Sequence, residues 1–222
     1  MIAPTIPAST ARSDRPLSLA AGVILAVWFG AVFLTSVSGQ FVTEADQPPL
    51  AMLSAVLLPI GVFGAAYASS ARVWHFVREG DPGLLTALQS WRILGLVFVV
   101  LLAFGMLPAA FAIPAGLGDM AIGVTAPFVA RARAERGPDR AGRLFVIWQW
   151  LGILDLVVAV GTAASLRILG IGAAGSEQMV LMGQFPLSLI PAFAVPLFVI
   201  FHLASLAQYR ARTHASDQEP RD

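Results

Sequence analysis

The chain has 222 residues, 57% of them apolar and 12% charged, with a formal net charge of +1; an average soluble domain is about 45–50% apolar and about 25% charged. With a mean hydropathy of +0.78, this composition excludes a disordered chain, a fibrous chain and a soluble globular domain, and describes a polytopic membrane protein. Cysteine is absent, which excludes disulfides, thiolate metal sites, iron–sulfur clusters and thiol catalysis.

A transmembrane helix needs about 20 mostly apolar residues, and six stretches qualify. The first, Pro16 to Val37, follows Arg12 and Arg15 and is too long for the core of a cleaved signal, so it reads as an anchor. The second is Pro49 to Ser69 and is expected to continue as helix to about Arg78. Asp81-Pro82 then has the form of an N-cap followed by proline at the first helical position, so the third helix is expected to begin near Pro82. Its apolar run is Ile93 to Phe111, with a stop expected before Pro108. The fourth, Ala115 to Ala130, is short and starts at or just before Asp119, behind the run Ile113-Pro114-Ala115-Gly116-Leu117-Gly118. The fifth is Leu144 to Ser165 and the sixth Val180 to Ala204. The predicted fold is an all-α bundle of six transmembrane helices: a tail over 1–15, one membrane domain over 16–206 and a second tail over 207–222.

Every basic residue is an arginine. With abundant alanine and glycine, this points to a GC-rich, bacterial genome and so to the inner membrane. With six spans, all the arginines except Arg167 fall on one side. These include Arg72, Arg78 and Arg92 around the second connection and Arg131, Arg133, Arg136, Arg140 and Arg143 in the fourth. Positively charged loops stay in the cytoplasm, so both termini are expected there. Trp74, Trp91, Trp148 and Trp150 fall near the same interface, where indole rings prefer to sit. The five arginines from Arg131 to Arg143 are dense enough to hold anionic lipid headgroups.

Gly22, Ala26 and Gly30 form a small-residue stripe on the first helix, and Ser54, Gly61 and Ala65 a similar one on the second. In lipid such stripes let helices pack closely, either within the bundle or against a second copy or another membrane protein.

Two charges cannot be placed in water. Asp119 lies near the start of the fourth helix and Asp155 near the middle of the fifth. A charge at mid-helix costs about 2.5–3.5 kcal/mol on insertion scales, and such a residue is a functional hypothesis by default. Each has a structural alternative: Asp119 capping the positive end of its helix, and Asp155 hydrogen-bonding to an adjacent helix. Trp148, Gly152, Asp155 and Thr162 share one face by their spacing, with Gln149 on another side. If the two aspartates met, a shared proton would stabilise the pair. No basic partner is evident: Arg92 is expected to snorkel to the interface, and Gln184 is the nearest neutral candidate. Pro186, Pro191 and Pro196 free carbonyls on the sixth helix and invite kinks. His75 and His202 offer only a weak metal or haem alternative, and His214 lies in the tail.

No phosphate-binding loop, dinucleotide fingerprint or metalloprotease helix is present, nor a hydrolase elbow, and no cofactor is implied. Three functional classes remain. The first is a small-solute or ion transporter, proton-coupled, with Asp119, Asp155, Gln184 and Thr162 lining its path. The second is a non-catalytic membrane subunit or assembly factor. The third is a membrane-embedded enzyme. Membrane lipids are expected partners, and nucleic acid is not.

Overall fold

The computed structural model describes residues 15–44, 47–168 and 177–216, without the side chains of 15, 16, 136–141 and 214–216. Arg12 and the side chains of Arg136, Arg140 and His214 therefore lie outside the described residues. In chain order the elements are α1 (Arg15–Val37), α2 (Leu50–Ser69), α3 (Ala71–Glu79) and α4 (Pro82–Leu88). A 3₁₀ helix (Gln89–Gly95), α5 (Leu96–Ala103) and α6 (Ala109–Ile168) follow. A 3₁₀ turn (Val180–Gly183), a π-helical turn (Ile190–Ala194) and α7 (Val195–Ser216) complete the chain. Among the described residues there is no strand.

Among the described residues six stretches are long and apolar enough to cross a membrane: Leu17–Val37, Leu50–Ser69, Pro82–Ala103, Ala109–Glu135, Gly142–Ile168 and Ile190–Thr213. The predicted number holds, and several boundaries move. Span two does not run on to Arg78. Ser70 is extended (φ −115°, ψ 110°), and its hydroxyl accepts from the Val73 amide at 3.4 Å, capping the separate helix α3. The break falls where apolar composition gives way to Arg72, Trp74, His75 and Arg78.

Span three begins at Pro82, capped by Asp81, whose Oδ1 accepts from the Gly83 amide at 2.8 Å. It ends at Ala103, before a turn in which Gly105 takes a positive φ of 70°, a conformation costly for any residue with a Cβ. The apolar run Ile93 to Phe111 therefore sits too far along the chain. Gln89 and Arg92, which hydropathy assigns to water, lie inside the span and are buried.

Spans four and five belong to one helical element of 60 residues, which would extend about 90 Å if straight. Instead Trp148 Nε1 donates to Thr125 Oγ1 at 2.9 Å, so the two limbs lie side by side. Trp148 is thus a buried packing residue rather than an interface anchor. Span four starts at Ala109, directly after Pro108, so Asp119 lies nearly three turns inside and cannot cap the helix. The short, irregular start predicted for this helix is replaced by a full-length span. The irregular geometry falls instead on the 3₁₀ tract of span three and on the π-helical turn at Pro191 that opens span six.

Burial ranks the spans. In the most apolar stretch of each, 44% of residues are buried in spans four and six, but only 6% in spans one and two, which therefore flank the bundle. Lipid tails are as apolar as leucine, so packing and polar contacts hold such helices together. One apolar cluster joins Phe98, Phe111, Ala115, Leu166, Met179 and Met182, and another joins Val56, Leu156, Val195 and Val199. Span one is tied in by a hydrogen bond of 2.5 Å between Ser36 and Ser188 hydroxyls. The stripes on spans one and two are not the tight faces of the bundle: a Cβ added at Gly22, Gly30 or Gly61 would meet nothing within 4 Å. Close approach is built instead around Gly95, Gly118, Gly123 and Gly152, where an added Cβ would collide with Asp119, Asp155, the Ile93 backbone and the His202 ring respectively.

Candidate functional site

The tight glycines surround one cluster of charged and polar side chains, centred on Arg92. The 3₁₀ helix explains how span three presents it. At three residues per turn, side chains at i and i+3 eclipse, so Gln89, Arg92 and Gly95 align on a single edge, and all three are buried. An α-helix would fan them apart, and seven residues is long for this geometry. The tract is held by its packing along spans four and five.

The Arg92 side chain has no solvent exposure, while Asp119 and Asp155 retain 13% and 15%. Its Nε donates to Asp119 Oδ1 at 2.7 Å. Its Nη2 donates to Asp155 Oδ2 in a short contact. Its Nη1 reaches the Gly152 carbonyl and His202 Nε2, each at 3.1 Å. Each span contributes from near its middle: Arg92 from three, Asp119 from four, Asp155 from five and His202 from six. Arg92 does not snorkel to the interface, because two carboxylates, a carbonyl and an imidazole satisfy its fork in the bundle centre. Planar guanidinium geometry suits this role better than an ammonium would.

Arg92 also fixes the state of His202. A guanidinium has no acceptor, so His202 Nε2 must accept and Nδ1 carries the proton. That Nδ1 faces Gln149 Oε1 at 2.5 Å, Gln149 Nε2 donates to Thr86 Oγ1 at 3.0 Å, and Thr86 donates to the Pro82 carbonyl at 2.6 Å. Every donor in this chain points away from Arg92. Thr86, Gln149 and His202 are wholly buried. Gln149 thus shares the face with Gly152 and Asp155, contrary to the predicted separation.

Of the sequence-derived candidates, Asp119 and Asp155 are brought together through Arg92. Thr162 is half-buried beyond Asp155, and Gln184 is exposed in the bend before span six; neither joins the cluster. His75 stands exposed on α3 against the Trp74 ring, outside the cluster. Among the lipid-headgroup candidates, Arg131 is exposed and paired with Glu135 at 2.7 Å, and Arg143 is exposed. Arg133 is buried, with its guanidinium over the rings of Phe145 and Tyr209. The sequence reading missed Arg92, Gln149 and His202. The cap at Asp81-Pro82 held the signal for Arg92, since about 20 residues counted from Pro82 place it mid-span.

A cleft of about 90 Å³ lies above the cluster, toward the end of the bundle that carries Arg167. Its walls are mainly apolar, among them Met52, Phe98, Phe111, Leu156 and Pro191, and among the described residues its only charged lining side chains are Asp119 and Arg167. Arg167 Nη2 donates to Thr43 Oγ1 at 2.6 Å and to the Glu44 carbonyl at 2.8 Å, fastening the segment after span one over this end. Asp155 and Arg167 are about 18 Å apart along span five at 1.5 Å per residue, so the cleft reaches from one end of the bundle toward its centre.

Comparison with curated proteins and with solved structures gives no match. Residues 48–210, which hold spans two to five, most of span six and the whole cluster, match one family along most of the chain. The chain belongs to the family described as "Domain of unknown function (DUF8737)".

Proposed function

We propose that this protein moves a small solute or ion across a bacterial inner membrane, coupled to a proton, with the Asp119–Arg92–Asp155 cluster as the coupling site. The observation that carries this reading is the charge count of the cluster. One guanidinium faces two carboxylates at mid-span, so one negative charge is left for a proton or a cation to neutralise. Charged residues at this depth are expensive and mark ion pathways and proton relays. The cleft supplies access. Its size suits a small solute or several waters, since one water needs about 10–15 Å³ of such space. The arginine distribution favours cytoplasmic termini, and on that reading the cleft opens on the opposite face.

The test is the melting temperature of the purified protein across pH and in Na⁺, K⁺ and divalent cations, for wild type, Asp119→Asn and Asp155→Asn. A wild-type response to pH or to one cation, lost in an Asn variant that still folds, is the expected result. If wild type is indifferent and both variants melt far lower, the aspartates are structural and the transport reading fails. A second reading, an accessory membrane subunit, draws support from one observation. Spans one and two present Gly22, Gly30 and Gly61 to open space, faces a partner helix would fill. A stoichiometric partner retained from native membranes would favour it.

A further inference from the structure

The cleft reaches the cluster from one end of the bundle only. Toward the other end a column of further buried polar side chains continues beyond His202, which itself binds Arg92. On span six, Ser205 and Gln208 follow His202 at three-residue spacing, and all three are at most 3% exposed. Gln89 of span three is wholly buried, and its Nε2 donates to the Phe198 carbonyl at 3.1 Å. Arg133 of span four is buried farther along. Four polar atoms in this set have no hydrogen-bond partner among the described residues: Gln89 Oε1, Ser205 Oγ, Gln208 Oε1 and Arg133 Nη1.

A buried polar atom without a partner costs about 1–3 kcal/mol, and native proteins leave few of them. Four in one column, at membrane depth, are not scattered defects. Polar sites of this kind hold ordered water, which makes about three hydrogen bonds where protein groups lack them. The apolar clusters of the bundle carry no such atoms.

We propose that this column is a hydrated path joining the Arg92 cluster to the arginine-rich end of the bundle, so that water and protons reach the carboxylates from the side opposite the cleft. The proposal rests on the coupling role given to the cluster and names its ion. Arg133 puts a fixed positive charge at the mouth, which disfavours metal cations, while protons can pass along hydrogen-bonded water and hydroxyls. The His202–Gln149–Thr86 chain is not the path: its donors all point one way, and amides do not relay protons readily.

The absence of native cysteine makes the test direct. Single variants Ser205→Cys, Gln208→Cys, Val199→Cys and Arg131→Cys of the full chain are reconstituted in sealed vesicles and exposed to 2-sulfonatoethyl methanethiosulfonate, a membrane-impermeant anion, with modification followed by mass. Val199 is buried on the same helix but packs in the apolar cluster with Val56, Leu156 and Val195, and Arg131 is exposed. The expected result is that Ser205→Cys and Gln208→Cys react at least about tenfold faster than Val199→Cys, because a hydrated thiol forms the thiolate that reacts. Equal rates at 199 and 205, or no reaction at 205 while 131 reacts, would overturn the path. Ser205→Cys changes one atom, and a melting curve close to wild type establishes that it folds. Labelling is independent of transport: a labelled column with no response to pH in the melting test leaves the path standing and removes the coupling role.

Discussion

Replacing Arg92 with methionine removes the centre of the buried cluster and keeps most of the side-chain volume. Asp119 and Asp155 would then face each other's charge in a site where Arg92 had no solvent exposure. Removing one partner of a buried ion pair costs about 3–5 kcal/mol. The Gly152 carbonyl and His202 Nε2 also lose their donor, at about 1 kcal/mol each. The expected loss is therefore at least about 3 kcal/mol, a large part of the 5–15 kcal/mol typical of a folded domain. The assay is thermal melting of purified protein in a single detergent, at fixed pH and salt. The informative comparison is the triple variant Arg92→Met, Asp119→Leu, Asp155→Leu. Exchanging a whole buried ionic group for apolar residues of similar volume is often neutral or stabilising by about 1–4 kcal/mol, so the triple should recover most of what the single loses. If the single melts like wild type, or the triple melts no higher than the single, the energetic account of the cluster is wrong.

Two further outcomes follow from the same geometry. His202→Ala and Gln149→Leu should each destabilise by about 1–3 kcal/mol through the buried groups they orphan. In a double-mutant cycle of melting free energies they should show coupling of about 0.5–3 kcal/mol; strictly additive losses would mean the chain is not connected. Gly152→Ala places a Cβ against the His202 ring and 3.3 Å from Arg92 Nη1, and overpacking of this kind costs about 1–3 kcal/mol. Gly161→Ala, on the same span but with nothing within 4 Å, should be neutral or stabilising by up to about 1 kcal/mol, and melting curves of the pair decide the point.

The six spans were legible because lipid imposes a length and a composition that hydropathy reads directly. Asp119 and Asp155 were legible for the same reason, as charges in the wrong solvent. Arg92 was hidden by an ambiguity of one dimension: a charged residue close to an apolar run reads as its end, whether it meets water or a partner on another helix. Gln149 and His202 were hidden in the same way. Their satisfaction is a property of four helices at once, and no single helix records it. Thr162 and Gln184 show the converse error, since polar residues on suitable spans need not face the same point. The 3₁₀ tract that aligns Gln89, Arg92 and Gly95 has no marker in propensity and comes from tertiary packing.

The order of the cluster along the chain has a consequence for biogenesis. Arg92 precedes Asp119 by 27 residues, Asp155 by 63 and His202 by 110. A chain made from its N-terminus delivers the guanidinium to the bilayer before either counter-charge exists. Span three alone carries an unpaired cation at mid-depth, with the insertion penalty that implies. Span four cancels it, and the intervening turn is short enough for the two to partition as a hairpin. Partitioning in pairs, rather than helix by helix, is therefore built into where the charges fall.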